Sequence, residues 1–181
     1  MKSENLIQAS IEQTRQTINE IEKLKNKDLR SLIWKQAPTS WSVLECIEHL
    51  NLYGDHYLPE IEKTIKNSKT EVETEFKSGF LGNYFAKSML PKEKLNKMKT
   101  FKDKNPLNAN LDITAIDRFI VQQIKLIDLL DRARTVNLNK LKIKTSISPL
   151  LKFRLGDTFQ FFINHIIRHL KQIERIQATY S

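Results

Sequence analysis

The sequence predicts an all-α fold, a bundle of long helices. Three observations predict it. Apolar residues recur at three- and four-residue steps through four separate stretches, as one buried face of a helix requires. Glycine and proline number only 4 and 5 in 181 residues, which leaves few of the turns that many short strands need. The apolar share of 40% is enough for a sizeable core, and the length fits a single domain, residues 1–181.

The first helix is expected from about Ser3 to Asn26. Leu6, Ile7, Ile11, Thr14, Ile18, Ile21 and Leu24 form its apolar stripe. A short segment, Leu29 to Trp34, precedes a connection that Pro38 keeps from continuing as helix. The second long helix opens at Trp41-Ser42-Val43-Leu44-Glu45. Ser42 with Glu45 three residues on is a capping box, and Trp41 can form the outer half of a hydrophobic staple with Cys46 or a neighbour. The helix continues to about Asn67, with a bend or break expected near Leu58 because Pro59 removes a hydrogen bond. Residues 68 to 110 are the least regular, with one short helix, Phe80 to Leu90, expected to pack its aromatics on the bundle. So long a connection is what two neighbouring helices running in the same direction require.

The third long helix is expected from Asp112, its cap, to Arg134. Its buried face is read as Ile113, Ile116, Phe119, Ile120, Gln123, Ile124, Ile127 and Leu130. Val136 to Ile147 reads as an extended connection outside any sheet, because no partner strand is visible. Pro149 precedes a short turn, and Gly156-Asp157 starts the last helix, which runs to Tyr180.

Composition excludes several classes. No stretch approaches the ~18 apolar residues of a membrane span, and the N-terminus shows no secretory pattern. The single cysteine, Cys46, excludes an internal disulfide and a thiolate-built zinc site, and suits a reducing cytoplasm. The net charge of +9 permits a nucleic-acid partner. Lysines are densest from Lys87 to Lys104, but no recognition motif accompanies them, and a solvated loop is the simpler reading.

The last helix carries the chemistry. His165 and His169, at i and i+4, lie one above the other on one face, inside a dense apolar stripe. Two such imidazoles can chelate one metal ion. The pair alone also fits a surface pair or satisfied core histidines. A third ring would complete the set, and His49 is the best candidate. Three neutral imidazoles suit Zn or Ni first, with Fe, Mn or Cu as further divalent candidates. They leave one position for water or a small thiol, so the catalytic groups of this chain are otherwise unassigned. Ile166 follows His165 where a metalloprotease motif needs glutamate.

Nearby residues have competing readings. His56 is a candidate for the site mouth, but a half-exposed spectator is the simpler reading. Glu45 either orients His49 or only caps the helix. Arg168 either attracts an anionic substrate or forms an ion pair on the surface. Tyr53 and Phe162 read as core, and Cys46 as a small buried hydrophobe.

The stretch Trp41-Ser42-Val43-Leu44-Glu45-Cys46-Ile47-Glu48-His49-Leu50 resembles the W-S-x-x-E-x-x-x-H-L signature of the DinB/YfiT-like family. His165-Ile166-Ile167-Arg168-His169-Leu170-Lys171-Gln172-Ile173 is similar to that family's H-x-x-R-H-x-x-Q-I signature. The resemblance covers essentially the whole chain. It implies a four-helix bundle with a long connection between the second and third helices, and metal ligation by His49, His165 and His169. It also implies a metal-dependent enzyme, a small-thiol S-transferase or a hydrolase, with a small-molecule substrate, a low-molecular-weight thiol and a homodimer as expected partners. The alternatives are a non-enzymatic stress or interaction bundle with an empty or vestigial site, and a basic nucleic-acid-binding protein.

Overall fold

The computed structural model describes residues 1–91, 100–148 and 150–180. Lys92, Lys94, Lys97 and Lys99 of the basic stretch, and Pro149, lie outside the described residues. The described chain is mostly helical: α1 (Ser3–Glu22), α2 (Leu29–Ile33), α3 (Val43–Lys66), α4 (Phe80–Ser88), α5 (Thr114–Arg132) and α6 (Leu155–Tyr180), with one small antiparallel sheet. None of the described helices is long and apolar enough to cross a membrane.

The long helices pack pairwise, α3 against α5 and α6, and α1 against α5 and α6. Their directions follow from their contacts. Glu48 pairs with Arg118 near the start of α3 and α5, and Glu62 with Lys125 and Arg132 near the end of both, so these two neighbours run the same way. Trp41 meets His169 while Tyr57 meets Phe161, so α3 and α6 run opposite ways. A parallel pair cannot be joined by a tight turn, and residues 67–113 make the return journey. That stretch includes α4, which lies on α6. Asp157 of α6 accepts from the Ser78 hydroxyl and, at 2.9 Å, from the Gly79 amide. A Cβ at Gly82 would lie 2.4 Å from Asp157, so the glycine permits this close approach.

The helical stripes bury as their spacing requires, with instructive exceptions. On α1, Leu6, Ile7, Ile11, Thr14 and Ile21 are buried, while Thr17 takes the inward place and Ile18 is only half-buried. On α5 the buried line is Ile116, Phe119, Gln123, Leu126 and Leu130. Ile113 and Ile124, read as buried, are exposed; Ile124 sits about 100° around the helix from Gln123. On α4 it is Gly82 and Ala86 that face inward, with Phe85 against Phe153. Phe80 and Tyr84 face solvent, contrary to the expected packing of the α4 aromatics.

α3 begins with the expected capping box. The Glu45 amide donates to the Ser42 hydroxyl at 3.2 Å, and the Ser42 amide donates to the Glu45 carboxylate at 2.8 Å. Ser42→Ala is therefore expected to cost about 1 kcal/mol, read as a lower midpoint in urea denaturation; an unchanged midpoint contradicts the cap's contribution. The break expected near Leu58 does not occur, because α3 is continuous through Pro59. Pro59 and Asp55 are both exposed, so solvent can take up the Asp55 carbonyl that the proline leaves without a donor. Asp112, expected as the cap of α5, lies one residue before the N-cap, Ile113, and its carboxylate accepts from the Thr114 amide at 2.9 Å.

The extended connection after α5 needs correction. Lys142–Lys144 is a strand, β1, paired antiparallel with β2, Lys152–Arg154. Ile143 opposite Phe153 is the buried pair that holds the hairpin on the core. The partner strand is three residues long and abuts α6 directly, so its pattern merges with the helix in the sequence.

Candidate metal centre

α3 and α6 bring together the three histidines. His49, His165 and His169 are all buried, and their ligand nitrogens lie within 4.8 Å of one another. His165 Nε2 stands 3.2 Å from His49 Nε2 and 3.0 Å from His169 Nε2. Two nitrogens bonded tetrahedrally to one ion at ~2.0–2.1 Å stand about 3.3 Å apart, so the spacing fits a shared ion.

The outer nitrogens fix which lone pairs point inward. His49 Nδ1 donates to the Lys104 carbonyl at 2.6 Å, and His169 Nδ1 donates to Gln172 Oε1 at 3.0 Å. With those protons on Nδ1, both rings present bare Nε2 atoms to the centre. His165 Nδ1 is buried without a hydrogen-bond partner among the described residues. Three nitrogens thus converge with at most one proton, that of His165, to share between them. This is the donor set an ion satisfies fully and a proton only in part.

Burial holds all three imidazoles neutral. His49 is lowered to about 4 by desolvation, with the Lys104 carbonyl pulling the other way. His165 and His169 are held well below the ordinary histidine value, by burial first and then by their histidine neighbours. A folded histidine that resists protonation binds fewer protons than the unfolded chain once pH drops below its unfolded value of 6.5. The metal-free protein is therefore expected to lose stability as pH falls from 6.5 towards 4, by up to about 1.4 kcal/mol per pH unit per histidine. Denaturation midpoints measured in chelator from pH 8 to 5 read this slope. A variant with glutamine at all three positions should lose it; retention of the full slope contradicts the assignment.

Aromatic rings wall the centre. Trp41 lies over His49 with centroids 4.7 Å apart, and meets His169 at 5.9 Å. Tyr53 meets His165 at 4.4 Å and His49 at 4.9 Å. Tyr53 is buried in the core, as read from sequence, and its ring also walls the site; burial pushes its phenol up to about 12, so it stays protonated. Trp41 faces the histidines and is itself held by the Asn105 side chain, which accepts from its indole N–H at 3.1 Å.

The connection before α5 closes the same side. Glu45 does more than cap: its carboxylate also accepts from Lys35 Nζ and from the Asn108 amide. Asn108 has a φ of 64°, a left-handed conformation that asparagine tolerates. Glu45 so anchors the turn whose Lys104 carbonyl orients His49, and does not touch the ring's nitrogen itself.

The remaining candidates fall outside the centre or beside it. His56 is half-buried and bonds to the Lys144 carbonyl at 3.2 Å, away from the three rings. Phe162 is core against Tyr57. Arg168 is buried, so it is not a surface residue, and burial lowers its guanidinium pKa. Cys46 is fully buried and burial pushes its thiol up, which leaves it inert as a nucleophile. Sequence reading missed the Lys104 carbonyl, because a backbone acceptor leaves no mark on residue identity. Gln172 was visible, three residues after His169 on the same helical face.

No curated protein and no solved structure matches the chain. A family model described as the DinB superfamily matches residues 10–173. With the paired motifs and the three-histidine cluster, that match over most of its length shows that this chain belongs to the DinB superfamily.

Proposed function

We propose that the protein is a metal-dependent enzyme built as a four-helix bundle of α1, α3, α5 and α6, in which His49, His165 and His169 hold one divalent ion. Zn or Ni suits three neutral imidazoles first, with Fe, Mn or Cu behind them. The observation that carries the reading is the convergence of three neutral Nε2 atoms, two of them oriented by acceptors on their Nδ1 protons. Membership of a superfamily whose members bind divalent metal supports it. A bound ion supplies Lewis-acid activation of a small thiol for transfer to an electrophile, or of water for hydrolysis.

The chain's own residues prepare the site for either reactant. The Lys104 carbonyl and Gln172 hold two rings in the tautomer that a ligand needs. Trp41 and Tyr53 exclude bulk water, which strengthens every charge interaction inside. Neither ring offers a base, since the phenol is protonated and the indole is a donor only.

The test is a pair of assays on metal-loaded protein: conjugation of a low-molecular-weight thiol to a reactive electrophile, and hydrolysis of an activated ester. The proposal expects one activity, lost on chelation and in His165→Ala. A second reading, a non-enzymatic stress or interaction protein, is favoured by the burial of all three rings beneath Trp41. Metal bound with neither activity present would favour that reading instead.

A further inference from the structure

At the far end of α3 from the histidines lies a surface groove of about 470 Å³. Lys63 and Lys69 line it from the end of α3 and the residues after it, and Lys140, Lys142 and Lys144 from β1 and the turn before it; Glu60 is the single carboxylate in the lining. None of these five lysines has a salt bridge among the described residues, and all five are exposed. The groove is separate from the metal centre: Lys63 lies fourteen helical steps beyond His49 on α3, roughly 21 Å at 1.5 Å per residue.

The hairpin extends the positive charge beyond the groove lining. In its register Lys142 lies opposite Arg154 and Lys144 opposite Lys152, while Ile143 and Phe153 face the core. Its outer face is thus wholly cationic, in two like-charged cross-strand pairs. Such pairs are destabilising. Arg154 is engaged by the Lys77 carbonyl, but Lys142, Lys144 and Lys152 have no charged partner among the described residues. Lys142 and Lys144 of this face line the groove together with Lys63, Lys69 and Lys140, which makes a cationic surface complementary to a polyanion.

We propose that this groove binds the phosphodiester backbone of a nucleic acid without regard to sequence. The lining is polar and cationic, with one half-buried leucine and no aromatic ring, so it has no side chain to sink into a bilayer. No aromatic ring lines the groove, so bases have no stacking platform and the contact is to phosphate. The proposal does not depend on the metal site.

Fluorescence anisotropy of a labelled mixed-sequence oligonucleotide, in chelator, tests it. Affinity should fall with salt, with a log–log slope near about −3.5 for five single-strand phosphates. Lys142→Glu with Lys144→Glu should weaken binding about tenfold or more at ~50 mM salt. Lys63→Glu with Lys69→Glu alters the α3 side of the lining and should do the same, should the hairpin variant not fold. Lys27→Glu with Lys87→Glu carries the same net charge and should change affinity less than about threefold. Absence of binding by the unaltered protein, or equal loss in the control and groove variants, would overturn the proposal. So would groove-dependent binding to phosphatidylserine vesicles with none to the oligonucleotide.

Discussion

Replacing His165 with alanine is expected to abolish tight binding of divalent metal. Its Nε2 stands between the other two, 3.2 Å from His49 and 3.0 Å from His169, so its removal leaves two nitrogens with no third to close the set. Loss of a group that merely orients a ligand costs about 10–100-fold in affinity, and loss of a ligand should exceed that. Competition titration against a chromophoric chelator reads the change. Because desolvation keeps all three rings neutral, protons compete weakly, and the affinity of the unaltered protein should hold below the pH at which an ordinary histidine gains its proton. The variant has one further signature. It removes a buried ring whose Nδ1 has no partner among the described residues, so its metal-free stability should fall less than burial alone suggests.

The largest effect on folding is expected from Phe162→Ala. Phe162 is almost fully buried on α6, one turn before Ile166, and its ring packs against Tyr57 of α3 with centroids 5.4 Å apart. Truncating such a ring costs about 3–5 kcal/mol, a large part of the ~5–15 kcal/mol that a domain commands. The α3–α6 contact that it supports is the one that places His49 against His165. Metal that binds only the folded chain should restore part of the loss, about 2.7 kcal/mol at one hundred times Kd. Urea denaturation with and without metal measures both quantities. A midpoint close to that of the unaltered protein would show that the α3–α6 seam is not packed through Phe162.

Much of this was legible in the chain. Ser42 and Glu45 marked the start of α3, and the burial of α1 followed its three- and four-residue spacing. The parallel run of α3 and α5 was implicit in the length of the connection between them. His165 and His169 announced themselves by sitting in an apolar stripe, and His49 joined them through the motif that begins at Trp41. What was not legible depended on backbone or on distance. The Lys104 carbonyl reaches His49 from 55 residues away and carries no side-chain signal. The hairpin consists of two three-residue strands, too short for alternation to separate them from a loop and a helix start. Ile124 shares its type with the buried residues beside it and differs only by its angle around α5. Trp41 read as half of a staple with Cys46 or a neighbour; that its ring also covers the histidines, with Asn105 accepting from its indole N–H, leaves no mark in the spacing.

The central claim is that three histidine Nε2 atoms share one divalent ion. X-ray absorption spectroscopy on the metal-loaded protein, with metal content measured per chain, tests it most directly. The account predicts one ion per chain and a coordination shell of three imidazole nitrogens, at about 2.0–2.1 Å for zinc, reduced in His165→Ala. A chain that takes up no ion, or one whose ion shows no imidazole scattering and is unchanged in His165→Ala, would contradict it.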